Sequence, residues 1–179
     1  CTELRDALNS ESPKSTPYAE AVLLAGGTRG GKLHRKNKAF SLEDLLAESG
    51  PRCGIQVIEM PGSVLIEAVR DSRTRGKAYT HFIHHDDQVL VDNKHKVTHV
   101  FGNPVDPGRI YRVGYSAKRY LSRNGPKGLA DYFQRNLDKI PPEDAELPGD
   151  QLLLGYWAEK VWTMILEQNS ELDKVFESL

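Results

Sequence analysis

Val22-Leu23-Leu24-Ala25-Gly26-Gly27-Thr28-Arg29-Gly30-Gly31 is an apolar run that ends in glycines around an arginine. It predicts a short strand over 19–25 followed by a glycine-rich loop. Gly26 and Gly27 permit a tight turn and close backbone approach. Arg29 then falls at the carboxyl edge of a sheet, where open α/β sheets place ligands. A guanidinium at that edge grips a phosphate or carboxylate through paired hydrogen bonds. The loop is not a P-loop, because the spacing differs and Gly-Lys-Ser/Thr is missing. It is not a dinucleotide fingerprint either. A tight turn with a solvated arginine also accommodates these residues.

Working outward, helices and strands alternate. Thr2 to Ser10 reads as a helix with Leu4 and Leu8 on one face. Ser41-Leu42-Glu43-Asp44 supplies an N-cap and first-turn acids for a helix over 42–48. Ile55 to Pro61 reads as a strand, and Gly62-Ser63 opens a helix with Val64, Leu65, Ala68 and Val69 on one stripe. Segments 80–85 and 88–91 read as strands, and Asp92-Asn93-Lys94 as a hairpin turn into 97–101. Ile110 to Ser116 alternates around Tyr111, Val113 and Tyr115. Lys127 to Leu137 predicts a helix with Leu129, Tyr132 and Phe133 inward. Hairpins interrupt the alternation, so the expected fold class is α/β with α+β character, layered, with mixed sheets.

The 179 residues suit one domain with a core. The predicted division is a domain over 1–139, a linker over 140–150 rich in proline and acid, and a helical extension over 151–179. Leu153, Tyr156, Trp157, Val161, Met164 and Ile165 share a broad stripe in that extension, expected to dock on the domain. Ser170 to Leu179 reads as a further helix, resembling the entering helix of an EF-hand without its calcium loop.

A formal net charge of −1 gives no long-range attraction to nucleic acid or anionic membrane. No apolar stretch approaches the ~20 residues of a membrane helix. No secretory leader is read, and the start at Cys1 is expected to reflect excision from a longer chain. Cys1 and Cys53 read as free thiols rather than a disulfide framework. The compartment stays open.

Other chemistry-bearing residues are few. Lys32, His34, Arg35, Lys36 and Lys38 form a basic run without interleaved aromatics, which reads as a solvated loop. His81, His85 and Asp87 would share one strand face, with His84 and Asp86 on the other. Such a group has the donors for a metal ion but no known ligand spacing, so a polar strand end competes. Ser63 lacks a nucleophile elbow and reads as a helix cap. Tyr120, ahead of Asn124-Gly125-Pro126, is either a base-stacking wall or a core residue.

The order of these segments resembles the C-terminal, substrate-recognising domain of the 5′-nucleotidase family. Cys1 to Leu8 is similar to that domain's opening helix. Leu24 to Arg29 is similar to its strand and Asn-x-Gly-Gly-Ile-Arg loop. Phe40 to Leu45, Val57 to Leu65, and Val105 to Tyr120 follow in the family's order. The resemblance covers about Cys1 to Asn136. It implies a layered α-β-β-α sandwich that binds a nucleotide or other phosphoester beside a calcineurin-like metallophosphatase domain. That companion, expected outside this chain, would carry two divalent metal ions and the hydrolytic chemistry. No cofactor is expected in this chain.

By the same resemblance, Arg29 with Gly26 and Gly27 contacts the substrate, and Tyr120 is one of two aromatics that sandwich the base. Asn124 and Gly125 stand where the family has a Gly-Gly-Asp-Gly stretch. Leu24 replaces the loop asparagine. Arg52 stands near the second stacking position, and an arginine also stacks on a base. A non-catalytic binding module that kept this fold is the alternative expectation.

Overall fold

The computed structural model describes residues 1–10, 18–26, 41–49, 54–74, 82–117, 119–122 and 125–177. In chain order, the elements begin α1 (Thr2–Leu8), β1 (Ala21–Ala25), α2 (Leu42–Ser49), β2 (Gly54–Pro61) and α3 (Gly62–Thr74). Strands β3 (Ile83–His85), β4 (Val89–Val91), β5 (Val97–Val100), β6 (Asn103–Pro104) and β7 (Ile110–Ser116) follow. The chain continues through α4 (Lys127–Arg135), β8 (Leu147–Pro148) and α5 (Gly149–Glu177).

The main sheet has five strands in the order β3-β1-β7-β2-β8. β1 and β7 are parallel, and the other pairings are antiparallel. A second sheet, β4-β5-β6, is antiparallel. The main sheet is therefore mixed and carries helices, as expected.

Strand periodicity sorts the core. Ala21, Leu23, Ile58, Met60, Tyr111, Val113 and Tyr115 point to one face, where they meet Leu65 and Val69 of α3, Leu129 and Phe133 of α4, and Val97 and Val100 of the small sheet. Val22 and Ile55 point the other way, onto Leu4 and Leu8 of α1 and the partly buried Leu152 and Leu153 of α5. Gly114 is needed on this second face. A Cβ there would lie 2.9 Å from Val22 Cγ2 and 3.0 Å from Leu8 Cδ1.

Local signals act where the sequence places them. Ser41 Oγ accepts from Asp44 N at 3.1 Å, and Asp44 Oδ2 accepts from Ser41 N at 3.1 Å, a reciprocal cap on α2. The 106–109 turn fastens the start of α3. Ser63 N donates to Pro107 O at 2.9 Å, and Gly62 N to Arg109 O at 2.8 Å. Arg109 also pairs with Glu20 and lies over the Tyr111 ring.

The C-terminal part differs from the periodic reading. Within 140–150, Leu147 pairs with Ile55, and Pro142 O accepts from Gln56 Nε2 at 3.2 Å, so this stretch is tied to the sheet. From Gly149 to Glu177 there is one helix rather than two. Its first turns dock on α1, where Trp157 Nε1 donates to Glu3 Oε2 at 3.0 Å. The expected docking of the whole stripe fails beyond that point. Val161, Trp162, Met164, Ile165 and Leu166 are exposed, because α5 runs past the short α1 that covers its beginning. No described helix is long and apolar enough to cross a membrane.

Candidate functional site at one edge of the main sheet

The carboxyl ends of the two parallel strands lie side by side. Leu23 of β1 is opposite Tyr115 of β7, and Ala25 N donates to Ser116 Oγ at 3.2 Å. β2 is antiparallel to β7 and starts at the same edge, where Ala117 N donates to Gly54 O at 2.7 Å. β3 is antiparallel to β1 and also starts there, with Ala25 opposite Ile83 and Gly26 N donating to Phe82 O at 2.7 Å. The stretches 27–40, 50–53, 75–81 and 118–125 are thus all joined to the sheet at this one edge.

Gly26 ends β1 at this edge. A Cβ on it would approach Phe82 O to 3.2 Å and His84 Nε2 to 3.3 Å, so glycine fits the close packing of β1 against β3. Gly27, Arg29, Arg52 and Asn124 lie outside the described residues. Gly125 is buried and closes a turn by donating to Ser122 O at 2.9 Å, immediately ahead of α4.

Tyr120 takes the core alternative. It is 1% exposed, and its ring lies 4.7 Å from Phe133 and 6.2 Å from Tyr115, centroid to centroid. Its hydroxyl donates to Gln56 Oε1 at 2.8 Å. The ring is engaged inside the domain, as the core reading of this position expects. Its burial also pushes the phenol pKa up.

Of the histidine-aspartate cluster, His81 lies outside the described residues, and His85, Asp86 and Asp87 make hydrogen bonds within the fold. Asp86 is 1% exposed and accepts from the backbone of Val22 and Gln88 and from Arg5. Asp87 accepts from Arg5 Nη1 at 2.6 Å. His85 Nδ1 lies 2.8 Å from Asp86 O. Among the described residues no group of three His, Cys, Asp or Glu side chains can hold a metal ion. Asp86 therefore staples α1 to β1, a role that its position beside three histidines does not disclose.

Residues at the β3 end of the edge add a feature that the motifs did not single out. Arg73, from the last turn of α3, lies over the Phe82 ring at 4.8 Å, and its Nη2 donates to Ile83 O at 3.4 Å. Its Nε is buried without a hydrogen-bond partner among the described residues. Phe82 meets the His84 ring edge-on at 5.0 Å. Burial, with Arg73 next, holds His84 below the usual histidine pKa.

No protein-family model matches the chain, and no curated protein does. Solved structures do match in fold. The NAD nucleotidase NadN of Haemophilus influenzae aligns with TM-score 0.59 and 14% identity, over 86% of this chain and 28% of that one. A 5′-nucleotidase precursor from Thermus thermophilus aligns with TM-score 0.60 and 13% identity, over 88% of this chain and 32% of that one. The sulfate thiohydrolase SoxB of Thermus thermophilus aligns with TM-score 0.54 and 15% identity, over 86% and 28%. The chain spans less than a third of each of these proteins. The fold is therefore one found as a domain-sized part of 5′-nucleotidases, and it also occurs in an enzyme named for different chemistry.

Proposed function

We propose that this chain is the substrate-recognising domain of a 5′-nucleotidase-like phosphoester hydrolase. The observation that carries the reading is that β1 and β7 end, and β2 and β3 begin, at one edge of the main sheet. Such an edge is where α/β sheets bind ligands. In this reading Gly26, Gly27 and Arg29 hold the phosphate or sugar, and Arg52 and Asn124 belong to the stretches that precede β2 and follow β7. Hydrolysis would belong to a companion metallophosphatase domain outside this chain, where two divalent ions would supply an activated water and electrostatic stabilisation. No step of that chemistry is assigned to residues of this chain.

The test is calorimetric titration of the chain with a nucleoside monophosphate. Saturable binding at millimolar or lower concentration, lost in Arg29→Ala, supports the reading. Absence of binding overturns it in favour of a non-catalytic binding module, the reading that the burial of Tyr120 favours.

A further inference from the structure

Among the described residues, Arg73 is a half-buried cation without a carboxylate partner. Its contacts there are the Phe82 ring and a long bond to Ile83 O, and Nε has no partner. Ser72 to His85 contains no Asp or Glu, and neither does Ala21 to Ser41, which holds β1 and the connection that leaves it. Most buried cations are paired, because an unpaired one forfeits its hydration. Packing over an aromatic ring offsets part of that loss but leaves the guanidinium's hydrogen-bonding capacity unused.

His84 is exposed and packs against the same Phe82 ring as this cation. Its ring touches Phe82, and its Nε2 faces the close approach to Gly26. Two donors, one from the end of α3 and one from β3, therefore share the Phe82 ring, and the carbonyl of Phe82 accepts from Gly26 where β1 ends. A planar carboxylate that meets one guanidinium fork keeps free lone pairs only in its own plane. A tetrahedral oxyanion keeps further oxygens for a second donor approaching from another direction.

We infer that Arg73 and His84 form an anion subsite at the β3 end of the edge, taking a phosphoryl-type oxyanion. This deepens the proposed function and rests on it for the ligand's chemistry. The subsite carries a built-in readout. A phosphate dianion beside His84 offsets the cationic neighbour and favours the imidazolium, so binding raises the imidazole pKa.

The experiment follows His84 by NMR across pH, with inorganic phosphate, with a nucleoside monophosphate, and with the nucleoside alone. Phosphate and the monophosphate should raise the His84 pKa towards 6.5 or beyond, and the nucleoside should not. Arg73→Met keeps an apolar stem over Phe82 and should weaken phosphate binding about tenfold. If that variant does not fold, His84→Gln replaces it, with phosphate affinity measured by calorimetry. A His84 titration indifferent to tens of millimolar phosphate, or phosphate affinity unchanged in the folded variant, overturns the subsite. Nucleotide binding that needs Arg29 but leaves His84 unmoved sinks the subsite alone. A phosphate response at His84 without nucleotide binding sinks the wider reading alone.

Discussion

Arg5 Nη1 lies 3.3 Å from Asp86 Oδ1, joining the first helix to a turn that follows 81 residues later, and the two residues are 7% and 1% exposed. Asp86 also accepts from Val22 N and Gln88 N, so one carboxylate ties α1, β1 and the turn after β3 together. A buried pair of this kind contributes little compared with an apolar replacement, but removing one partner leaves the other uncompensated. Arg5→Met should therefore lower unfolding stability by about 3 kcal/mol. Urea denaturation checks this, and a loss under about 1 kcal/mol would show that water already reaches Asp86.

Acid should release the same staple through Asp87. The Arg5 hydrogen bond holds the Asp87 carboxyl below its ordinary 3.8. As pH falls, the unfolded chain takes up this proton before the folded one. The contribution of Asp87 is thus complete above about 3.8 and is lost as pH drops through the lower folded value. Asp86 runs the other way: burial raises its pKa, so its ionisation costs stability as pH rises above 3.8. Asp87→Asn should lower the melting temperature at about pH 6 and converge with the parent near pH 2. Parallel curves over that range would remove Asp87 from the acid transition.

Gly114 sets how closely α1 approaches the sheet. Gly114→Ala puts a methyl within 3.0 Å of both Leu8 Cδ1 and Val22 Cγ2. Leu8 has rotamer freedom to yield, but Val22 is stiff at χ1. Overpacking here should cost about 1 to 2 kcal/mol. A double variant with Leu8→Ala should recover part of the loss attributed to overpacking, read from thermal melts of the four chains of the cycle.

The sequence carries the elements more clearly than the contacts between them. Ser41 with Asp44 is legible because a cap is local chemistry within four residues. The alternation of Tyr111, Val113 and Tyr115 is legible because one face of a strand needs only its own period. Leu147-Pro148 is not, since two residues have no period and proline argues against a strand until an edge accepts it. The α5 stripe shows an apolar face but not where its cover ends. Arg5 looks like a surface residue of a short helix until Asp86 arrives from another part of the chain. At the site, the glycines after β1 announced the edge. Arg73 gave no motif, because its significance is that no described carboxylate meets it, which only the fold reveals.

Tyr120 poses the sharpest test of how the site is read. The ring is packed against Phe133 and Tyr115, and the hydroxyl satisfies Gln56, itself 2% exposed. Tyr120→Phe preserves the packing but strands Gln56 Oε1 without its donor, which should cost about 1 to 2 kcal/mol. Tyr120→Ala also removes the ring and should cost about 3 to 5 kcal/mol. A base-stacking residue behaves differently. Its hydroxyl is dispensable, and its truncation weakens nucleotide affinity without so large a loss of stability. Denaturation of both variants, beside nucleotide titration of whichever remains folded, separates the roles. A stable Tyr120→Ala chain with weakened nucleotide binding would mean that the ring leaves the core to meet its ligand.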